Sequence, residues 1–483
     1  MIAVALHAGL RDDHLRFTDP EHGIINGLDL RTFSSGPRAS LLCLAMLAAA
    51  TPSHAKELPI DPKNLGTIVN RDINSLGAVY PAHTIGWELT PQTFKNTITL
   101  ELMFHQPGVW AMNVGLPDPI IYRSKVATGY DKYMGRTEEI GGILNPGHAQ
   151  QAETLRRLKE LGTDPLEIAV EACHDQGVLI VADYRMNAED FYDKELDLYD
   201  FGRAHKDWAI PGANCLDPAI PEVYEHRMDI FREVAENFDI DGIEFDFRRW
   251  YHMVSDPHKN HVVLTRMVRD TRRMLDEVAA KKGRKKLLLG ARVGINIDGP
   301  SIDDDELSCK DLGLDVRTWV AEGLVDYLSP AMFNGTFNLA SHDGKEREHF
   351  NVAEFAELIG DRPIGLYPTL RHYTPKALEG EPSNSSGEFM ATEEDRDSMR
   401  KYKNGLLDTA LHWYESGADG ISTFNWNLPD GQATRMGFGG QKISVYLHPR
   451  LCDPKALRAW RDADWLLPQD FRLPWEIGRV WKQ

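Results

Sequence analysis

From Leu65 to Pro429 the sequence repeats one alternation: a short apolar run bounded by Gly, Pro or Asp, then a longer stretch with helical periodicity. The runs "GTIVN", "GVWAMNVG", "VLIVADYRMN", "DGIEFDF", "KLLLGARVGIN", "VDYLSPAMF", "PIGLYPT" and "DGISTFNWN" read as strands. Helical patterns separate them, among them "HAQQAETLRRLKELG", "PEVYEHRMDIFREVAENF" and "VLTRMVRDTRRMLDEVAAKKG". Parallel strands need a long crossover between neighbours, usually a helix, so this alternation predicts a parallel sheet covered by helices. Eight such units predict a closed (β/α)8 TIM barrel rather than an open doubly wound sheet. No strand leads into a G-x-G-x-x-G turn, so no cofactor is expected.

Two segments are harder to read. "TPQTFKNTITLELMF" has a Thr cap position and enough length for a helix, but a β-branched centre. The stretch from Leu116 to Pro146 is rich in Gly and Tyr and is expected to form a functional loop. By contrast, "DPLEIAVEACHDQG" opens on Asp-Pro and stops at Gly177, as a capped helix does.

The N-terminal region lacks this order. Residues 1–36 carry no clear period; "PRASLLCLAMLAAATPSHAKE" then offers Arg38, an apolar run from Leu41 to Ala50, and Ser53-His54-Ala55. That is the charge, short apolar core and small-residue cleavage pattern of a secretory signal, too short for a membrane span. A buried N-terminal helix is the alternative. The expected organisation is therefore an extension with signal over residues 1–55, a barrel over 56–465 and a tail over 466–483, with the protein secreted or periplasmic. A formal charge of −19 argues against nucleic acid as a partner, without forbidding a local basic pocket. Cys173, Cys215, Cys309 and Cys452 would remain after processing, widely spaced, and are open to either disulfides or buried thiols.

In a barrel, function lies at the carboxyl ends of the strands. Along "DIDGIEFDFRRW" the side chains of Glu244, Asp246 and Arg248 share one face and Ile243, Phe245 and Phe247 the other. The bulky apolar set suits the strand–helix layer, so the charged set should look into the barrel. Successive members of one face rise roughly 6–7 Å along the strand. Carboxylates so close drive each other's pKa apart unless an arginine intervenes, which gives the proton donor and anion that glycoside hydrolysis uses. Asp246 and Glu244 are the candidate catalytic pair, with Asp246 expected at the open rim. The alternative is a structural ion pair of Glu244 with Arg292 or Arg185.

Other strand ends supply candidate carbohydrate-binding residues: Tyr184, Arg185, Asn187, Trp250, Asn296, Asn334, Asn425 and Trp426. Amides suit paired hydroxyls, and flat aromatic rings suit the apolar face of a sugar. Arg185, Arg248, Arg249 and Arg292 cluster on neighbouring strands, so an acidic or sulfated glycan is a candidate substrate; internal neutralisation by Asp183, Glu244 and Asp246 is the alternative. His83, His105, His205, His252 and His372 are scattered without ligand spacing, so no metal site is expected and a metal-dependent hydrolase or lyase is a minor reading.

The run "NCLDPAIPEVYEHRMDIFREVAENFDIDGIEFDFRRW" resembles the bacterial glycosyl-hydrolase-like family 10 proteins, in which an "LDP…PEV" helix leads into a "DGIxFD" fourth strand. "GLVDYLSPAMF" and "GADGISTFNWN" resemble their sixth and eighth strands. The resemblance implies a barrel of the glycosidase superfamily and carbohydrate hydrolysis. A looser one exists to family 18 chitinases, whose fourth strand reads D-G-x-D-x-D-x-E. Aligned on Asp241-Gly242, Arg248 falls where that family has its proton donor, and arginine cannot donate a proton near neutral pH. The second carboxylate of a hydrolase would then be Glu244 or a loop acid such as Asp72, Asp298 or Asp430. The competing function is a non-catalytic carbohydrate-binding barrel.

Overall fold

The computed structural model describes residues 17–19, 23–25, 60–71, 88–142, 146–187, 192–248, 251–299, 307–332, 350–371, 393–424 and 446–463. The chain divides into two compact units. In the smaller one, residues 1–56 and 467–483, Phe17–Asp19 pairs antiparallel with Gly23–Ile25.

Residues 57–466 form a (β/α)8 barrel. Its strands are β1 (Ile68–Arg71), β2 (Val109–Gly115), β3 (Leu179–Arg185) and β4 (Gly242–Asp246), then β5 (Leu288–Val293) and β6 (Tyr327–Pro330). The seventh, β7, is split into Gly365–Leu366 and Thr369–Arg371, and β8 is Ser422–Phe424. Each strand pairs parallel with the next, and β8 returns to β1. The first half of β7 pairs with β6 and the second half with β8, so the ring closes through this one strand. Pro368 explains the split. It has no N–H to give to β6, while its carbonyl accepts the Ser422 N–H of β8 at 3.0 Å.

Outside the ring lie α1 (Pro91–His105), α2 (Tyr130–Gly135), α3 (Pro146–Glu160), α4 (Pro165–Asp175), α5 (Pro221–Asn237) and α6 (Pro257–Lys281). They are followed by α7 (Val316–Ala321), α8 (Val352–Ile359), α9 (Glu393–Glu415) and α10 (Pro454–Asp462). The ambiguous first helix forms despite its β-branched centre, because Thr90 and Thr93 cap it reciprocally and Pro91 presets its first turn. The expected loop after Leu116 is buried over much of its length and contains α2. Cys173, Cys215, Cys309 and Cys452 form no disulfide; the buried-thiol reading holds for the first three, whereas Cys452 is exposed. Among the described residues no helix is long and apolar enough to cross a membrane.

One device recurs at the foot of the barrel. Aspartates just before β4, β6 and β8 accept a backbone N–H from the preceding strand. Asp241 takes Ile180 N at 2.8 Å, Asp326 takes Leu289 N at 2.8 Å and Asp419 takes Leu366 N at 3.0 Å. Asp241 is also bound by His174 Nε2 at 3.0 Å and by Arg284. Burial alone would raise its pKa, but His174 and Arg284 outweigh that and hold the carboxyl below its usual range. The Asp241 bond, in turn, raises His174 above the usual histidine value despite burial.

Protonated His174 stabilises the fold fully below the unfolded histidine pKa of about 6.5, and that support is lost as pH rises through its elevated folded value. Asp241 contributes above the unfolded aspartate pKa of about 3.9 and loses its contribution in acid. The stability difference between the wild type and His174→Gln, measured by urea unfolding, is therefore expected to shrink from about pH 6 to about pH 9. A pH-independent difference would show that the pair does not titrate with folding.

Candidate active site

Strand alternation sorts the barrel interior into levels. At the base, Ile68, Val109, Leu179, Val181 and Leu288 form an apolar cluster with Tyr327 and Tyr367. Above it the inward positions turn polar: Asn70 on β1, Asn113 on β2, Asp183 and Arg185 on β3, Glu244 and Asp246 on β4, and Arg292 on β5. Asp183 lies in register with Glu244, and Arg185 with Asp246, which is itself in register with Arg292. The outward positions of β4 do what the sequence predicts. Phe245 packs on Phe231 of α5 and Phe247 on Trp319 of α7.

Each acid of this layer is held differently. Glu244 accepts Asn70 Nδ2 at 2.7 Å on one oxygen and the Tyr327 hydroxyl at 2.7 Å on the other. Tyr327 can reach across because its register partner on β5 is Gly290; a Cβ there would lie 2.0 Å from the tyrosine ring. Burial raises the Glu244 pKa and Asp246 adds to it, against the opposing effect of Arg292, Tyr327 and Asn70. Asp183 accepts Asn113 Nδ2 at 2.7 Å on Oδ2, and its buried Oδ1 has no partner among the described residues. Burial first, then the charges of Asp246 and Glu244, push its pKa well above the usual carboxylate range. Asp246 accepts Arg248 N at 2.8 Å and Arg292 Nη1 at 2.6 Å, while the Arg292 guanidinium lies 4.4 Å over the Phe424 ring.

Several expectations need correction. Asp246 does not stand at an open rim: it is 1% exposed, and both carboxylate oxygens are engaged. The arginine that intervenes is Arg292, and it pairs with Asp246, while Glu244 is bound by neutral groups. Internal neutralisation thus accounts for Arg292, and Arg248 is buried with its Nε on the Ala331 carbonyl at 2.7 Å. Tyr184 faces the helices instead of the barrel, because it alternates with Asp183 and Arg185. Its ring packs on Phe231 and its hydroxyl meets that of Tyr122 at 2.7 Å.

Arg185 and Asn296 are buried, and Asn187 accepts Arg227 Nη2 at 3.0 Å. Asp298 points to the surface, where it pairs with Arg317 of α7. Among the histidines, His105 is buried against His448, and His205 stacks on Trp208. Trp250, Asn334, Asn425, Trp426, Arg249, Asp72, Asp430, His83 and His372 lie outside the described residues. Among the described residues no three His, Cys, Asp or Glu side chains converge as a metal site.

Sequence reading overlooked Asn70, Asn113 and Tyr327, and treated Asp183 only as a counter-charge. A signal was present. In "TIVNR", "WAMNVG" and "IVADYR" a single amide or acid interrupts an apolar strand on its inward face.

No family model and no curated protein matches the sequence. Solved structures similar to it include an alpha-L-fucosidase isoenzyme 2 from Paenibacillus thiaminolyticus, at 14% identity and TM-score 0.43, covering 83% of this chain and 50% of that one. An alpha-amylase from Geobacillus thermoleovorans matches at 12% identity and TM-score 0.43, covering 84% and 82%. A family GH18 chitinase from Cycas revoluta matches at 11% identity and TM-score 0.39, covering 79% and 98%. The chain spans about half the length of the fucosidase.

Removing one partner of a buried ion pair leaves the other charge uncompensated. Arg292→Met is expected to cost about 3–5 kcal/mol in denaturant unfolding, and the double variant Arg292→Met/Asp246→Leu distinctly less than the two single losses combined. Additive losses would mean that the two charges do not depend on each other.

Proposed function

We propose that this barrel is a glycoside hydrolase acting on a poly- or oligosaccharide, with the acids of its inner polar layer as the reacting groups. The observation that carries the reading is the unequal condition of those acids. Asp183 is driven to retain its proton by burial and by the neighbouring charges of Asp246 and Glu244, and its Oδ1 has no partner among the described residues. Beside it, Asp246 is ion-paired with Arg292. A neutral acid next to a paired carboxylate is the combination that protonates a leaving oxygen while an anion supports the developing positive charge. In this reading Asp183 is the proton carrier. Asp246, which the sequence nominated as the catalytic carboxylate, supplies the fixed anion, and Glu244 holds the layer in register.

The second reading, a non-catalytic carbohydrate-binding barrel, is favoured by one specific fact: the Asp246 carboxylate is buried with both oxygens engaged. Reducing-sugar release over a broad panel of neutral, uronate and sulfated polysaccharides separates the two. For a hydrolase, Asp183→Asn is expected to lower kcat by about 10²–10⁴ while glycan retention in affinity electrophoresis persists. Asp246→Asn should also lose activity, and each variant should keep the wild-type circular dichroism. Retention without any sugar release by the wild type would establish the binding barrel instead.

Export belongs to the same proposal. The signal-like run ending at Ser53-His54-Ala55 supports a secreted or periplasmic protein acting on an external glycan. N-terminal sequencing of exported protein should find Lys56 first; an intact Met1 on the mature chain would refute it.

A further inference from the structure

A second polar site lies beside the barrel, where the segment after β2 and the end of β3 meet α5. There a cavity of about 20 Å³ is bordered by Asn187, Tyr199 and Arg227, with Asp118, Glu195 and His226 also in its wall. Arg227 is the anomaly. It is 5% exposed, yet no carboxylate oxygen among the described residues comes within 4.0 Å of its guanidinium. Only Nη2 is occupied, by two neutral acceptors: Asn187 Oδ1 at 3.0 Å and the Leu216 carbonyl at 2.9 Å. Nε and Nη1 have no partner among the described residues.

A guanidinium removed from water without a counter-charge is unfavourable, and arginine does not escape by losing its proton. The same cavity holds a further unused donor. Asn187 Nδ2 is buried without a partner, and Tyr199 borders the same space. Burial keeps that phenol protonated.

The carboxylates of the wall are already committed. Asp118 accepts Thr128 N at 2.8 Å and pairs with His226 Nε2 at 3.1 Å, and Glu195 accepts the Tyr133 hydroxyl. Asp217, whose charge also acts on Arg227, takes the Ala219 and Ser255 N–H groups on one oxygen. Among the described residues the cavity therefore combines a positive charge and converging donors with no carboxylate paired to that charge, Asp217 acting on it only at longer range. Its enclosed volume is on the scale of one or two water molecules, comparable to the oxygens of a single carboxylate.

We propose that this cavity binds a carboxylate group, held by Arg227 with Asn187 and Tyr199. The carboxylate belongs either to a free small acid or to a uronic acid whose ring stays outside the cavity, and the two are separated below. Binding is read without catalysis, so this proposal and the hydrolase reading stand or fall separately.

The test is calorimetric titration and thermal unfolding of the full chain with sodium acetate and with sodium glucuronate, against sodium chloride at matched ionic strength. A saturable response to acetate above the chloride control is expected. A matching response to glucuronate assigns the site to a uronate, and a response to acetate alone assigns it to a free acid. Arg227→Gln should weaken binding by about tenfold or more, since a charge-assisted bond is lost. Tyr199→Phe removes one hydroxyl only and should weaken it several-fold, which keeps the test valid if Arg227→Gln does not fold. No saturable response to either acid in the wild type, or an unchanged affinity in Tyr199→Phe and any folded Arg227→Gln, would overturn the proposal.

Discussion

Closure of the ring at β7 governs everything inside it. Once Tyr367 bonds back to β6 and Pro368 accepts from β8, every inward side chain of eight strands must share one enclosed space. Such a space is filled in layers and has no bulk water to satisfy polar groups. At the base the solution is apolar, with Leu, Ile and Val from neighbouring strands. Higher up, each polar atom has to be matched by another, and the strand registers fix which ones meet. Asn113 reaches Asp183 from the adjacent strand, whereas Asn70 reaches Glu244 from across the barrel.

This matching explains why acids so close together tolerate burial. Ionising all three would place like charges close together in low dielectric, and the effective penalty is several kcal/mol per uncompensated ion. The layer avoids that state by dividing the work. Arg292 takes Asp246, neutral donors take Glu244, and Asp183 is pushed toward its protonated form. The cost of the arrangement is exact shape. Gly290 must be small so that Tyr327 can cross, and Phe424 must lie flat under Arg292. The chemistry proposed for the site is a consequence of how burial was made tolerable.

Most of the fold could be read from the sequence, because hydrophobic periodicity and Gly, Pro and Asp punctuation report directly on local structure. The eight strands appear where the apolar runs stand, and "DGIEFDF" divides its faces as alternation requires. Depth and partnership were less legible. Alternation tells which side Asp246 faces but not how far down the barrel it lies, and the ion pair expected for Glu244 falls instead to Asp246, which has Arg185 and Arg292 as register neighbours and pairs with Arg292. Tyr184 shows the converse failure: its position at a strand end looked functional, while parity with Asp183 already excluded it from the interior. The three aspartates at the feet of β4, β6 and β8 were visible as "DG", "VD" and "ADG", but their shared role emerges only when the N–H they accept is known.

Arg248 links two strands of the barrel at their carboxyl ends. In the chitinase-like alignment it occupies the proton donor's place, and a simple substitution there would read as lost function. In the fold it does something else: its Nε binds the Ala331 carbonyl just beyond β6, while its own N–H binds Asp246. It thus fastens the end of β4 to the end of β6 and helps fix the carboxylate that polarises Asp183. An arginine with those two bonds cannot be exchanged for a glutamate without freeing a carbonyl and adding a fourth acid to a layer already crowded with three. In the proposed reading the proton is carried instead by Asp183 on β3, deeper in the barrel, whose pKa is raised by burial and by the charges of Asp246 and Glu244.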